Sequence, residues 1–244
     1  MHWLRSPARV ESKELLDAPS LPADELQQNL DDLRRLNLYL GSRYVILAAI
    51  KRLWQQAGRP ESWCVVDIGT GAGDIPAALT CWGRRHGIHI RVIAVDMHRD
   101  VLRCTQVALQ HDANIRLCQA DGLHLPFQPG TFDVALCSST MHHLTWSESV
   151  SLLRVMADVT RYGIIVNDLR RSRVWYYGAK VLLHLVSANR LTRHDGPLSV
   201  LRAYTVNEVR QIAAEAALAG AEVRSILLHR WLLVYTPRRV GHGC

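Results

Sequence analysis

From residue 63 onward, apolar positions alternate between two periods. Short continuous apolar runs, typical of buried strands, are separated by segments in which apolar residues recur every three or four positions, as in amphipathic helices. Strands joined by helical crossovers form a parallel sheet with helices on both faces, so the sequence predicts an α/β fold. The runs predict strands at 63–68, 90–95, 114–119, 132–138, 162–167, 222–228 and 231–236, and the periodic segments predict helices at 74–86, 98–111, 147–158 and 205–218.

The first 58 residues precede this alternation. We expect residues 1–20 to form a loose arm. Leucines then recur at helical spacing between Pro22, which suits the first turn of a helix, and Gly41, and Ser42 can cap a second helix. The predicted division is therefore 1–58 for the arm and cap helices and 59–244 for the main domain, with 172–204 as an insertion.

The turn after the first predicted strand is rich in glycine. The segment Val65-Val-Asp-Ile-Gly-Thr-Gly-Ala-Gly-Asp74 places a strand, Asp67, three glycines at alternate positions and then a helix in succession. Glycines let the backbone turn sharply and let a ligand approach bare peptide groups. The spacing is GxGxG rather than the GxGxxG of dinucleotide-binding proteins, and Asp96 lies further along than their ribose-binding acid, so an NAD(P) oxidoreductase is disfavoured.

Two further acids end neighbouring strands. Asp96 follows Val92-Ile-Ala-Val, a natural position for a carboxylate that receives both hydroxyls of a ribose. Asp121 follows the third strand, where it can accept a hydrogen bond from an adenine amino group. Because the carboxyl ends of adjacent parallel strands meet at one crevice, Asp67, Asp96 and Asp121 predict a single ligand site.

The series of Asp67 with the three glycines, then Asp96, Asp121 and the strand Phe132-Asp-Val-Ala-Leu, resembles the class I S-adenosylmethionine-dependent methyltransferases. It looks most like their small-molecule branch typified by the quinone-biosynthesis enzymes, and the match is good over about residues 60–168. The resemblance implies a Rossmann-like, seven-stranded, mostly parallel sheet in the order 3-2-1-4-5-7-6 with strand 7 antiparallel, N-terminal helices and a helical insertion after strand 5. The closely joined last two strands fit that topology.

The resemblance also implies a site for S-adenosylmethionine, with S-adenosylhomocysteine as its product. The glycine turn would face the methionine part of the cofactor, Asp67 would help to hold its amino group, Asp96 would bind the ribose, and Met97 and Asp121 would lie beside the adenine. The predicted cofactor-binding residues are Asp67, Gly69, Thr70, Gly71, Gly73, Asp96, Met97, Ala120, Asp121, Gly122, Cys137 and Ser138.

The loop after the fourth strand carries two adjacent histidines. In this fold that loop passes close to the transferred methyl group, and an imidazole ordinarily titrates at about pH 6.5, so His142 or His143 could remove a proton from an acceptor as a general base. We favour His143 slightly, with Asp168 as a further candidate. The alternative is that one histidine packs against the sheet while the other is solvated.

Substrate contacts are predicted from the exit of the fifth strand and from the insertion. Asn167 could hydrogen-bond the acceptor, and Arg170 or Arg171 could hold an acidic or phenolate oxygen, unless they form a solvated basic loop. The insertion contains Tyr176, Tyr177 and several leucines, so it is either a lid over a hydrophobic acceptor or a buried structural helix.

The composition of the chain limits the kinds of partner and ligand that we expect. The net charge is +7 and hydrophobic residues make up 48% of the chain, but the basic residues are spread along it without a polybasic run, so we expect a small-molecule substrate and no nucleic acid. The six cysteines show no metal-ligand spacing, which predicts reduced thiols and no metal site. Residues 1–10 lack the apolar core of a signal peptide and 174–188 is too short to span a bilayer, so we expect a cytoplasmic monomer or homodimer, with peripheral membrane contact still open.

Three other functions compete with this interpretation. Amino-group methyltransferases of nucleic-acid bases resemble one another in an Asn/Asp-Pro-Pro-Tyr type motif after the fourth strand, where this chain has Cys137-Ser-Ser-Thr, and cytosine C5 enzymes need a Pro-Cys pair that the chain lacks. A protein methyltransferase and a cofactor-binding partner without its own activity stay open. The sequence thus favours methyl transfer to a hydrophobic or aromatic small molecule, such as a phenol, polyketide or quinone precursor, without identifying it.

Overall fold

The computed structural model describes residues 6–18, 21–226 and 229–237. Their strands form one seven-stranded sheet in the order β3-β2-β1-β4-β5-β7-β6. The strands β1 to β5 are parallel, and β7 runs antiparallel to both β5 and β6. This confirms the predicted topology. The strands are β1 (Ser62–Ile68), β2 (His89–Asp96), β3 (Ile115–Gln119), β4 (Phe132–Ser138), β5 (Thr160–Leu169), β6 (Glu222–Ile226) and β7 (Arg230–Tyr235).

Eight α-helices accompany the sheet in the described residues. The predicted capping box opens the last of them, because the Thr205 hydroxyl accepts from the Glu208 backbone and the Glu208 carboxylate accepts from the Thr205 N–H at 2.7 Å. The insertion forms α6 and α7. The helices are α1 (Ala23–Tyr39), α2 (Ser42–Gln56), α3 (Asp74–Arg85), α4 (Arg99–Leu109), α5 (Trp146–Asp158), α6 (Arg173–Val186), α7 (Arg190–Arg202) and α8 (Val206–Glu215), with single 3₁₀ turns at Leu15–Asp17 and Met141–His143.

The predicted elements and the observed ones differ mainly at their ends. The fifth strand is longer than predicted, and the last helix ends at Glu215 rather than at residue 218. The predicted strand 222–228 is observed to Ile226, and its last two residues lie outside the described residues. Element ends are set by capping and by tertiary contacts, which periodicity alone does not resolve.

Successive strand residues face two different hydrophobic clusters. Val65 of β1 packs with α2 and α3 on one face of the sheet, whereas Val66 packs with α5 and α8 on the other. This is the period of two expected of a strand buried on both faces. The glycine turn that follows β1 is therefore anchored at the centre of the fold.

The N-terminal arm is not loose where the structure describes it, so that expectation was wrong for residues 6–18. The Arg9 guanidinium donates to the carbonyls of Arg202 and Leu144, at 2.6 and 2.7 Å. The Asp195 carboxylate accepts from the backbone N–H groups of Leu15 and Leu16. These contacts are polar and join residues far apart in the sequence, so the hydrophobic periodicity of the chain does not predict them.

We expect Gly163→Ala to lower the free energy of unfolding by about 1–3 kcal/mol, the usual cost of forcing extra volume into a packed site. Gly163 lies in β5 with φ 156°, and an added Cβ would collide with the backbone carbonyl oxygen of Tyr235 in the neighbouring β7. The matched control is Gly87→Ala, whose φ of +69° is also unfavourable but whose Cβ would meet nothing within 4 Å. Denaturant unfolding that gave equal losses for both variants would contradict the steric argument.

Candidate active site

One cavity of about 330 Å³ opens at the carboxyl ends of β1, β2 and β4. Its size falls within the range of about 300–1,000 Å³ that small-molecule sites occupy. The N-terminal arm, α1, α6 and α7 contribute side chains to its other walls. Parts of the chain outside the βα alternation therefore help to cover the crevice predicted at the strand ends.

The floor of the cavity is the glycine turn. Gly69, Gly71 and Gly73 have φ values of 71°, 50° and 73°, in the left-handed region that favours glycine. The backbone N–H groups of Gly69 and Thr70 both donate to the Val95 carbonyl at 2.9 Å, which ties the turn to β2. A side chain at Gly69 would also collide with Thr140. Both the backbone conformation and the close approach of Thr140 thus require glycine there.

Asp67 and Asp96 hold this turn. Asp67 is buried and accepts a hydrogen bond from the Thr70 hydroxyl at 2.8 Å; burial raises the pKa of Asp67 to about 7, although that hydrogen bond opposes the rise. Asp96 accepts from the backbone N–H of Gly71 and of His98, both at 3.0 Å. Each carboxylate therefore has a defined orientation at the end of its strand.

Asp121 lies at the outer edge of the cavity. It accepts from the Leu123 backbone N–H at 2.9 Å, and this bond, together with one from His124, lowers the pKa of Asp121. Met97, Ala120 and Gly122 line the same part of the cavity. The residues predicted to surround an adenine are thus brought together.

Asp74 is a cavity residue that the sequence analysis did not select. Its Oδ1 accepts from the Asn37 amide at 3.3 Å, whereas its Oδ2 is buried without a hydrogen-bond partner. Burial raises the pKa of Asp74, with the Asn37 hydrogen bond acting in the opposite direction. An unpartnered buried carboxylate oxygen is costly, so this atom is suited to a cationic ligand.

The cavity is acidic although the whole chain is basic. Among the described residues, seven carboxyl groups line it against a single arginine, and a ligand with positive charge favours their ionised form and is attracted by it. The acidic lining residues are Glu14, Asp17, Asp67, Asp74, Asp96, Asp121 and Asp195, and the arginine is Arg230. The net charge of +7 therefore says little about this site.

The 3₁₀ turn after β4 brings His142 onto Asp168. The Asp168 Oδ1 lies 2.8 Å from His142 Nδ1, and Oδ2 accepts from the His142 backbone N–H at 3.0 Å. Burial alone would raise the pKa of Asp168, but the His142 ring and the Arg230 guanidinium outweigh it and the pKa is lowered. Because an ionised carboxylate only accepts, Nδ1 carries a proton, and Nε2 is the ring nitrogen that can accept one when the ring is neutral.

Glu14 of the arm faces both histidines. Its carboxylate oxygens lie 3.6 Å from His142 Nε2 and 3.7 Å from His143 Nε2, and His143 Nδ1 lies 3.2 Å from Asp17. Burial raises the pKa of Glu14, opposed by His143, the Ser199 hydroxyl and Arg202. One atom each from Glu14, His142 and His143 lies within 4.8 Å of the others, an arrangement of the kind that can hold a metal ion and that no spacing in the sequence indicates.

Three predicted site residues lie behind the cavity wall. Asp168 is fully buried and reaches the cavity only through His142. Cys137 is buried, and burial raises the pKa of its thiol. Gly73 precedes α3, and an added Cβ there would meet Thr105 and Leu109 of α4. The other predicted cofactor residues all line the cavity: Asp67, Gly69, Thr70, Gly71, Asp96, Met97, Ala120, Asp121, Gly122 and Ser138.

The five predicted substrate residues are not among those that line the cavity. Asn167 is buried between Ser42 and Arg230. Its amide nitrogen donates to the Ser42 hydroxyl, and its amide oxygen accepts from the Arg230 guanidinium. The Arg171 guanidinium donates to the Pro7 and Ala203 carbonyls and to the Glu208 carboxylate, the last at 2.6 Å. The interpretation of these two as acceptor ligands is corrected, because their polar atoms already have protein partners.

The remaining three predicted substrate residues do not reach the cavity either. Arg170 donates to the Ser225 hydroxyl at 2.7 Å on the exposed side of the sheet edge. Tyr177 is exposed, and Tyr176 packs on the cluster that contains Ala179 and Leu183 without reaching the cavity. From the predicted lid, Trp175, Ala179, Leu182 and Leu183 line the cavity instead.

Arg230 is the basic group that sequence reasoning missed. It is fully buried at the start of β7, donates to Asn167 Oδ1 at 3.1 Å and to the Ser139 hydroxyl at 2.6 Å, and burial lowers the pKa of its guanidinium to about 10. Its neighbours on β7 are apolar, so the only sequence signal was a lone arginine at the head of a hydrophobic strand.

The structure describes five of the six cysteines and the length of each helix in the described residues. Cys64, Cys81, Cys104, Cys118 and Cys137 are free thiols, and Cys244 lies outside the described residues. None of the described helices combines the length and the apolar character needed to cross a bilayer.

Comparison with known proteins finds similarity to methyltransferases over the part of the chain that contains the glycine turn. Residues 65–163 match a family model described as a methyltransferase domain. The ubiquinone/menaquinone biosynthesis C-methyltransferase of Idiomarina loihiensis is 31% identical over 117 residues, which are 44% of this chain and 45% of that enzyme. The match thus spans less than half of the curated relative.

Solved structures share the fold at low identity. A methyltransferase from Aquifex aeolicus that depends on S-adenosylmethionine superposes with a TM-score of 0.58 at 18% identity, over 89% of this chain and 99% of that one. Human N-acetylserotonin methyltransferase in complex with S-adenosylmethionine gives 0.64 at 16% identity, over 93% and 60%. Residues 65–163 therefore match a methyltransferase domain, the described residues share the fold of solved methyltransferases that depend on S-adenosylmethionine, and the chain resembles the quinone-biosynthesis methyltransferases.

Proposed function

We propose that this protein transfers the methyl group of S-adenosylmethionine to a small hydrophobic phenol, with His142 as the general base. The observation that carries the proposal is that the acidic glycine turn and the Asp168–His142 pair open into one cavity with apolar walls. The turn accounts for the cofactor, the pair accounts for proton removal, and the walls account for the class of acceptor.

The residues of the cavity fit the cofactor. S-adenosylmethionine carries a sulfonium and an ammonium group, and the excess of carboxylates favours both charges. The unpartnered Asp74 Oδ2 offers an acceptor for the ammonium group, in addition to the predicted role of Asp67. Asp96 would bind the ribose hydroxyls, and Asp121 the adenine.

The cofactor supplies an already reactive methyl donor, so this chain's residues have to align the acceptor, exclude water and take up one proton. In its neutral form, His142 would accept the proton of a phenolic hydroxyl at Nε2, the ring nitrogen that Asp168 does not hold. Asp168, ionised and bonded to Nδ1, would stabilise the imidazolium that forms. The phenolate then has its charge available at the oxygen or at the ring carbons beside it.

The apolar walls support a hydrophobic acceptor rather than a polar one. Side chains from the arm, α1, α6 and α7, together with Leu144 and Leu169, supply this apolar region. The apolar side chains that line this region are Leu16, Leu33, Leu36, Leu40, Leu144, Leu169, Trp175, Leu182, Leu183 and Val200.

The test is release of S-adenosylhomocysteine from S-adenosylmethionine with a panel of lipophilic phenols and quinols. We expect turnover with a gain of one methyl group in the acceptor, and none when the hydroxyl of the same acceptor is already blocked as its methyl ether. Turnover on amines, peptides or nucleic acid alone would contradict the proposed acceptor class. Tight cofactor binding without turnover on any of these would favour a binding partner without activity.

A further inference from the structure

The outer face of α6 is apolar and exposed. Val174, Tyr177, Val181 and Leu185 are 76%, 59%, 63% and 79% exposed. They are spaced three, four and four residues apart, so they form one stripe along the helix. Of the ten exposed large hydrophobic residues in the described chain, five lie on this helix. We call the four residues the α6 stripe.

The opposite face of α6 is apolar as well. Trp175, Ala179, Leu182 and Leu183 line the cavity from that side. A helix that is hydrophobic all round is normally buried, and an exposed apolar stripe of this kind marks a contact surface. The cavity accounts for the apolar residues on the inner face of α6. It does not account for the α6 stripe, which therefore requires a second apolar environment.

The charged residues of α6 itself have one sign. Between Asp168 and Asp195 the chain contains no acidic residue. Of the basic residues in that stretch, Arg171 and Arg190 have carboxylate partners, whereas Arg173 and Lys180 are exposed on α6 itself. Long basic side chains beside an apolar stripe suit a surface of negative charge with an apolar interior.

We infer that the α6 stripe binds the surface of an anionic lipid bilayer, with Arg173 and Lys180 at the level of the phosphate groups. The helix has 14 residues, too few for the roughly 20 that a spanning helix needs, so it lies in the interface rather than crossing it. A second copy of the chain is a poorer occupant. A twofold contact of α6 with α6 would bring the cations of two copies together, and α6 carries no acidic residue to neutralise them.

This placement also bears on the acceptor, a step that rests on the proposed function. The helix that touches lipid with one face lines the acceptor side of the cavity with the other. A hydrophobic phenol that partitions into the bilayer would then be collected where the protein is already bound. Membrane binding itself requires neither the cofactor nor turnover, so the two proposals can fail separately.

The test is sedimentation of the full chain with vesicles of phosphatidylcholine alone and of phosphatidylcholine mixed with phosphatidylglycerol. We expect binding to the mixed vesicles, and at least a roughly tenfold loss in the double variant Val181→Asp/Leu185→Asp, because two apolar contacts are replaced by charges that the lipid repels. Lys180→Glu is expected to weaken binding to the mixed vesicles by roughly fivefold or more, with little effect on neutral ones.

The matched control is Val107→Asp, since Val107 is 68% exposed on α4 and lies outside the stripe. Cofactor affinity and thermal stability should be unchanged in all these variants, because the altered side chains are exposed. Absence of vesicle binding, or equal losses for Val107→Asp and the double variant, would overturn the inference. So would a dimer in size-exclusion chromatography that the double variant dissociates while vesicle binding is missing, because the stripe would then be a protein interface.

Discussion

Asp96→Ala is expected to weaken binding of S-adenosylmethionine and S-adenosylhomocysteine by about 10²–10⁴-fold. Two hydrogen bonds from ribose hydroxyls to a carboxylate are lost, and bonds to charged groups contribute about 1.5–3 kcal/mol each. The carboxylate also orders the turn, since it accepts from the backbone N–H groups of Gly71 and His98. Titration calorimetry with S-adenosylhomocysteine measures the effect directly.

Asp100→Ala is the matched control for this loss. Asp100 is an exposed acid four residues further on, paired with Arg103 on the surface of α4, so the variant makes the same change of charge outside the cavity. Its affinity should stay within a factor of about two, the scale expected of surface substitutions. Undiminished affinity in Asp96→Ala would mean that the ribose lies elsewhere, and the site assignment would have to be withdrawn.

The sheet and the glycine turn were predictable because their signals are local. A buried parallel strand such as β1 is a continuous apolar run, and the residues at its end follow directly in the sequence. The positions of Gly69 and Asp96 depend only on where a strand stops. Asp67 and Asp96 lie within about thirty residues of each other, so their placement does not depend on packing between distant parts of the chain.

The exit of β5 shows where such reasoning stops. Asn167 and Asp168 are adjacent, and both were predicted to face the acceptor. Successive strand residues point to opposite faces, so Asn167 turns to Ser42 of α2 while Asp168 turns to His142. Which face carries the cavity depends on the loop after β4, and the sequence of β5 contains no record of it.

The arm shows a second limit. Glu14 meets His142 because contacts such as those with Asp195 and Ser199 of α7 hold the arm in place. These contacts join residues separated by most of the chain. No period or motif encodes them, so residues 1–20 were interpreted as a loose arm.

His142→Ala is expected to lower kcat by about 10²–10⁴-fold, the contribution usual for a positioned general base, while cofactor affinity stays unchanged. The structure favours His142 over His143 because its Nδ1 is fixed by a buried carboxylate at 2.8 Å and its Nε2 is thereby left to accept a proton. Asp168→Asn should lower kcat as well, since an amide cannot stabilise the imidazolium by charge. His143→Ala is the comparison variant, with a smaller expected loss.

The pH dependence separates a base from a merely structural histidine. In the wild type, kcat should fall as the pH is lowered, because His142 must be neutral to accept a proton, whereas Asp168, whose pKa is held below its usual range, stays ionised. Acceptors acidic enough to be ionised already need no base, so they should restore most of the rate in His142→Ala. With the same acceptors, the fall of kcat at low pH should disappear. If His142→Ala loses as much rate with ionised acceptors as with neutral ones, the ring positions the acceptor or the loop rather than taking the proton. If both histidine variants keep the full rate, deprotonation occurs without either of them.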